Sequence, residues 1–252
     1  MFKRPPNPWF LIPKSIEKPR FRIFCIPYAG GNASAFHKWA GSFEQDELFA
    51  AQLPGRAFRR REPLIRDAHA MVAALIEAMD GYLDVPFVLY GHSMGGLLAF
   101  ELARALRGGG HPEPSALIIS GRRAPQIPGA EAIPHDMPDD RFWTTIGQLY
   151  GTTPALLNSA DLKAMLLPVF RADFQLLNGW SYTDAAPLSC PIYALGGEED
   201  PGIPVENLEA WRDQTTGGFE QKMFAGGHMF IQPREAEFLG ELKSIVDHLP
   251  VS

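Results

Sequence analysis

Six short runs of strand-forming residues, separated by stretches of helical periodicity, constrain this chain more than any other feature. They are "RFRIFCIPY" (20 to 28), "LFAAQLP" (48 to 54), "PFVLYG" (86 to 91), "SALIISG" (115 to 121), "CPIYALGG" (190 to 197) and "FEQKMFAG" (219 to 226). Most are continuously apolar rather than alternating, the pattern of strands covered on both faces. Between them "DAHAMVAALIEAMDGYL" (67 to 83), "MGGLLAFELARAL" (94 to 106), "VENLEAWRDQT" (205 to 215) and "REAEFLGELKSIVDHL" (234 to 249) carry apolar residues at helical spacing. Strand alternating with helix predicts an α/β fold, a mainly parallel sheet with helices on both faces. At 252 residues, 46% of them hydrophobic, the chain can bury one large core, so a single domain over 1–252 is expected.

One interval breaks the alternation. From about Pro125 to Pro187 no run reads as a strand, yet "PDDRFWTTIGQLYG", "SADLKAMLL" and "PVFRADFQLLNGW" have helical spacing. A structureless loop of that length is uncommon inside a compact domain, so 125–187 is read as a helical insertion. Phe142, Trp143, Tyr150, Phe170, Phe174 and Trp180 concentrate aromatic surface there. Most of them must pack the insertion's own small core. Phe142, Trp143, Phe170 and Phe174, with Tyr28 from the loop after the first strand, are the candidates to line a substrate pocket.

Charge and composition exclude other classes. A net charge of −6 argues against nucleic-acid binding, which rests on clustered positive charge. The only dense basic run is "RAFRRRE" (56 to 62), either a solvated loop or a patch for an acidic partner. No run approaches membrane-spanning length, and the start, "MFKRPPNPWFLIPKSIEKPR", is too short in its apolar part and too rich in proline for a signal peptide. A cytoplasmic protein is expected, with an extended or irregular N-terminal arm. Cys25 and Cys190 offer neither a disulfide framework nor a multi-cysteine metal site and read as reduced packing residues. No heptad or long apolar stripe announces an interface, so a monomer is expected.

The chemistry points to "GHSMG" (91 to 95), which fits G-x-S-x-G between a predicted strand and a predicted helix. A nucleophile elbow forces its serine into strained backbone above the sheet, so side chains two residues either side must nearly vanish. A serine hydroxyl needs a general base, and that base needs an orienting group. Of seven histidines, His228 in "FAGGHMF" sits on a glycine-rich turn after the last predicted strand, where it can reach back over the strand ends. His92 adjoins the serine, but neighbours in an extended segment point to opposite sides, so packing is its expected role. "ALGGEEDPGIP" (194 to 204) supplies the acid: Asp200 is preferred and Glu199 is the alternative. The order Ser, acid, His is that of an α/β-hydrolase. Two backbone N–H groups should hold the oxyanion, Met94 at the helix start and Ala29 in "IPYAGGNASAF".

With "PYAGG" (27 to 31), "QLPGR" (52 to 56), "GHSMGG" (91 to 96), "GGEEDP" (196 to 201) and "GGHMF" (226 to 230) in place, the chain resembles the type II thioesterases. These are free-standing α/β-hydrolases that serve polyketide synthases and nonribosomal peptide synthetases. The resemblance runs from residue 20 to 249. It implies a Ser93, Asp200, His228 triad with Ala29 and Met94 as oxyanion donors, and a helical lid over 125–187. The implied reaction hydrolyses acyl groups from the phosphopantetheine arm of acyl or peptidyl carrier proteins. No metal or other cofactor is implied, the arm being part of the substrate. A general carboxylesterase or lipase would use the same triad, and a non-catalytic binding module on this fold is the remaining alternative.

Overall fold

The computed structural model describes residues 7–128, 133–150 and 157–250. Its seven-stranded sheet comprises β1 (Phe10–Leu11), β2 (Arg22–Ile26), β3 (Glu47–Ala51), β4 (Phe87–His92), β5 (Ala116–Ser120), β6 (Ile192–Gly197) and β7 (Phe219–Phe224), in the order β1-β3-β2-β4-β5-β6-β7. All neighbours pair in parallel except β1, which runs antiparallel to β3. Every residue of β2 to β5 is buried, whereas the edge strand β7 exposes its middle, and this is the reason the inner runs read as continuously apolar.

The six predicted runs all form strands. The seventh, β1, lies in the arm expected to be irregular: two residues carry no periodicity, and the pairing is held by Phe10, whose ring meets Phe24, Phe49 and Tyr82.

The helices are α1 (Ala68–Met79), α2 (Met94–Gly108), α3 (Asp139–Leu149), α4 (Ala160–Gly179), α5 (Val205–Glu209) and α6 (Glu235–His248). Asp67 caps α1 by accepting from the Ala70 N–H at 2.8 Å. Because strand side chains alternate, each strand feeds two cores. Phe24, Phe49, Leu89 and Leu117 join α1 and α2 on one face, while Ile23, Leu48, Val88 and Ile118 join α6 on the other. Trp39, in a 3-10 segment over Ala33–Ser42, completes the second core. Cys25 and Cys190 are free and buried, and burial pushes the Cys190 thiol up to about 12.

Two helical readings change. The stretch 205–215 divides into α5 and a 3-10 turn over Ala210–Gln214. The two insertion runs either side of Pro168 form one helix, α4. Proline removes one N–H from the ladder, but Val169, Phe170, Ala172, Phe174 and Leu176 bury a face that continues from Leu166 and Leu167, and this packing carries the helix through. α3 and α4 lie between β5 and β6 in the chain and pack over the C-terminal ends of the inner strands, where Gly30, Ser93 and Gly121 sit. No described helix is long and apolar enough to cross a membrane.

Candidate active site

Ser93 joins β4 to α2 with φ 55° and ψ −112°, a region that costs a non-glycine residue of order 1–3 kcal/mol. The chain is held there by its own crowding. A Cβ on Gly91 would lie 2.0 Å from the Gly95 carbonyl oxygen, and one on Gly95 would lie 2.0 Å from that of Ile26. Only glycine lets β2, the turn and the start of α2 approach so closely. The Ser93 N–H donates to the Ser120 carbonyl at 2.8 Å, which ties the turn to the end of β5.

Ser93 Oγ lies 2.9 Å from His228 Nε2, and His228 Nδ1 lies 2.7 Å from Asp200 Oδ2. The other Asp200 oxygen accepts from the Gly202 N–H at 3.0 Å. A carboxylate can only accept, so it holds the Nδ1 proton and leaves the Nε2 lone pair facing the serine. Loop joins loop through the backbone: the Glu199 N–H donates to Gly226 at 2.9 Å, which keeps the acid and histidine turns in register. Asp200 is buried, whereas Glu198 and Glu199 are exposed and form no bond to the imidazole.

Met94 contributes the first N–H of α2, a group without an intrahelical acceptor at the positive end of the helix. Ala29 is buried in the loop after β2, and no acceptor bonds its N–H among the described residues. The next amide, Gly30, is already engaged by Asp173 at 2.7 Å.

Beside Ser93 opens a cavity of about 660 Å³. Phe174 lines it, with Ile127, Leu149, Tyr150, Leu177, Trp180 and Tyr182. The other pocket candidates stand behind this wall. Phe142 is fully buried against Phe174, and Trp143 donates its indole N–H to the Leu157 carbonyl. Phe170 packs its ring on Gly30, and Tyr28 is held between Gln232 and the rings of His92 and Tyr150. Phe142, Trp143 and Phe170 are consumed by helix packing, whereas Tyr150 and Trp180, the residues that close α3 and α4, turn into the cavity beside Phe174. A helix-end position was the available signal.

Arg122 and Arg123 complete this wall and were not singled out from sequence. Neither guanidinium forms an ion pair or hydrogen bond among the described residues, and Arg122 faces the Trp180 ring at 6.0 Å. Burial, reinforced by Arg123, pushes Arg122 down to about 10; burial also lowers Arg123, while Asp200 opposes the shift. A second cavity of about 480 Å³ also borders His228 and shares Leu149, Tyr150, Asp200 and His228 with the first. His92 is fully buried with Nδ1 2.8 Å from Ser120 Oγ, and burial, with His228 nearby, holds its pKa well below the usual histidine value.

The basic run is divided. Arg56 and Arg59 are buried, the first on Asp173 and the second on Glu62 and over the Trp9 ring at 4.0 Å. Of its arginines only Arg60 and Arg61 are exposed, near the exposed Phe58.

A parallel sheet, a strained serine at a strand-to-helix turn and a histidine and carboxylate brought to it from two later loops define a serine hydrolase of the α/β-hydrolase class. Residues 21–247 match the thioesterase domain family, and the chain belongs to it. The gramicidin S biosynthesis protein GrsT of Aneurinibacillus migulanus is 39% identical over 234 residues, covering 92% of this chain and 91% of that protein. Among solved structures, RedJ, a thioesterase from the prodiginine biosynthetic pathway in Streptomyces coelicolor, aligns with a TM-score of 0.84 at 35% identity over 90% of each chain. BorB, a type II thioesterase from the borrelidin biosynthetic cluster, aligns with a TM-score of 0.88 at 30% identity over 98% of this chain and all of its own.

Proposed function

We propose that this protein is an editing, type II thioesterase that clears acyl groups from the phosphopantetheine arms of carrier proteins in a polyketide synthase or nonribosomal peptide synthetase. The observation that carries this reading is the continuous Ser93, His228, Asp200 relay beside a largely apolar cavity. Similarity to GrsT, RedJ and BorB supports the biosynthetic setting.

In this reading His228 Nε2 takes the Ser93 proton as Oγ attacks the thioester carbonyl. Asp200 stabilises the imidazolium, and the Ala29 and Met94 N–H groups receive the oxyanion. The C–S bond breaks, the pantetheine thiol leaves with the proton from His228, and water activated by the same imidazole releases the acid from the acyl-serine. The chemistry draws on no metal or redox cofactor. Arg122 and Arg123 offer the substrate donors only, which suits the carbonyl oxygens of an acyl chain or pantetheine. The acidic chain would work as a cytoplasmic monomer, meeting the carrier domain of its synthase in transient encounters.

The test compares acetyl release from a phosphopantetheinylated carrier protein with release from the matching free thioester and oxygen ester. Ser93→Ala should lower kcat by about 10⁴-fold or more. A carrier preference supports the editing reading, and faster turnover of free oxygen esters moves the protein to the general esterases. Arg60→Glu with Arg61→Glu should raise KM several-fold for the carrier substrate and leave the free thioester unchanged, since exposed charges steer encounter.

A further inference from the structure

The lid helix α4 reaches into the loop that carries Ala29. Phe170 and Asp173, three residues apart and so on one helix face, both meet Gly30. Asp173 is fully buried; its Oδ2 accepts the Gly30 N–H and one Arg56 Nη, its Oδ1 accepts the other, and all three distances are 2.7 Å. Arg56 is itself buried and donates onward to the Gly31 carbonyl at 3.2 Å and the Pro54 carbonyl at 3.4 Å. From the same helix face the Phe170 ring presses on Gly30, where a Cβ would lie 2.3 Å from Cζ and where φ is +76°. The residue after Ala29 is therefore clamped at its amide and its Cα, and its neighbour Gly31 at the carbonyl.

A buried ion pair is a poor source of net stability, because apolar residues of similar volume often replace one at no cost, but it sets geometry through directed bonds. We infer that Asp173 and Arg56 are positioning residues for the oxyanion site, holding the Ala29 N–H at the point where charge develops and making α4 a fixed part of that site. The inference rests on the hydrolase reading of Ser93 and on Ala29 as a donor. Lifting α4 would strand two buried charges, so α4 stays with the loop that it clamps.

The decisive variant removes both charges together, Arg56→Met with Asp173→Leu, so that no orphan charge remains. Three quantities are read: kcat and KM on an acetyl N-acetylcysteamine thioester, the rate of Ser93 phosphonylation by a p-nitrophenyl alkylphosphonate, and the thermal midpoint. Displacing one donor should lower kcat by about tenfold to a hundredfold, less than removing it outright. KM should stay within about twofold, because the donor acts on the transition state. Phosphonylation, whose phosphoryl oxygen uses the same hole, should slow by the same factor in a protein that melts near wild type.

A folded double variant with wild-type kcat and phosphonylation overturns the inference, as does a rise in KM alone, which would make Asp173 a pocket wall. If the double variant does not fold, Asp173→Asn preserves the shape and an oxygen for Gly30, and it should slow both rates about threefold to tenfold; unchanged rates would again overturn the inference. A wild type phosphonylated at Ser93 yet inert on every thioester would sink the thioesterase reading, and the phosphonylation ratio between variants would still decide the role of Asp173.

Discussion

The nucleophile turn and the helical insertion both line one cleft and are built by opposite means. At the turn, backbone meets backbone: Gly91 and Gly95 sit where a single added carbon would strike a carbonyl group at 2.0 Å. In the lid, large side chains meet one another, Phe142 on Phe174, Tyr150 on Phe170 and Trp143 on Phe170, at ring separations of 5.5 to 6.2 Å. Backbone crowding admits one residue type, whereas packed rings admit many arrangements of similar volume. The turn therefore admits few substitutions, whereas the insertion can redistribute side-chain volume.

That contrast breaks first at the turn. Gly95→Ala places a methyl group against the Ile26 and Pro27 carbonyls, neither of which can rotate away. The expected outcome is loss of soluble folded protein or, where protein is recovered, a fall in Ser93 phosphonylation of at least about a hundredfold, the scale of a displaced oxyanion donor. Phosphonylation at the wild-type rate would show that the start of α2 is far softer than its packing indicates.

The same contrast governs what could be read before the structure. Six of the strands, the elbow and the trio Ser93, Asp200 and His228 were legible because each rests on local rules: continuous apolar runs, small residues at a tight turn, and turn residues at strand ends. The insertion was legible as three helical runs and opaque in its details. Phe142, Trp143 and Phe170 have the composition of pocket residues, and only the packing of α3 on α4 shows that they face inward. The basic run misled for a related reason. Arg56 finds its partner Asp173 117 residues away in the chain, and Arg59 is covered by the Trp9 ring of the N-terminal arm. β1 escaped because two residues carry no period.

A smaller effect sharpens the lid's side of the comparison. Phe174 touches both the lid core, through Phe142, and the cavity beside Ser93. Phe174→Leu should enlarge the cavity at a stability cost of about 1–3 kcal/mol, below that of a truncation to alanine. Competition between short and medium acyl thioesters should shift toward the longer chain by up to about tenfold, the value of a methylene or two in an apolar pocket. An unchanged preference would place the acyl chain elsewhere, with the second cavity beside His228 as the next place to look.

The smallest effect concerns His92, which adjoins the nucleophile in sequence yet belongs to the body beneath it. Burial favours its neutral form, so the native state resists a proton that the unfolded chain binds near the ordinary value of 6.5. Stability tied to this group is therefore present above pH 6.5 and is lost as pH falls, because below that value the unfolded state binds more protons than the native state. The loss between pH 6.5 and 5.5 is about 1 kcal/mol for a single histidine that stays neutral when folded. Denaturant unfolding of His92→Asn, in which a side-chain amide can take over the bond to Ser120, should show an acid slope shallower than wild type by that amount. Parallel slopes would mean that native His92 accepts its proton, and the turn would then tolerate a charge directly beneath Ser93.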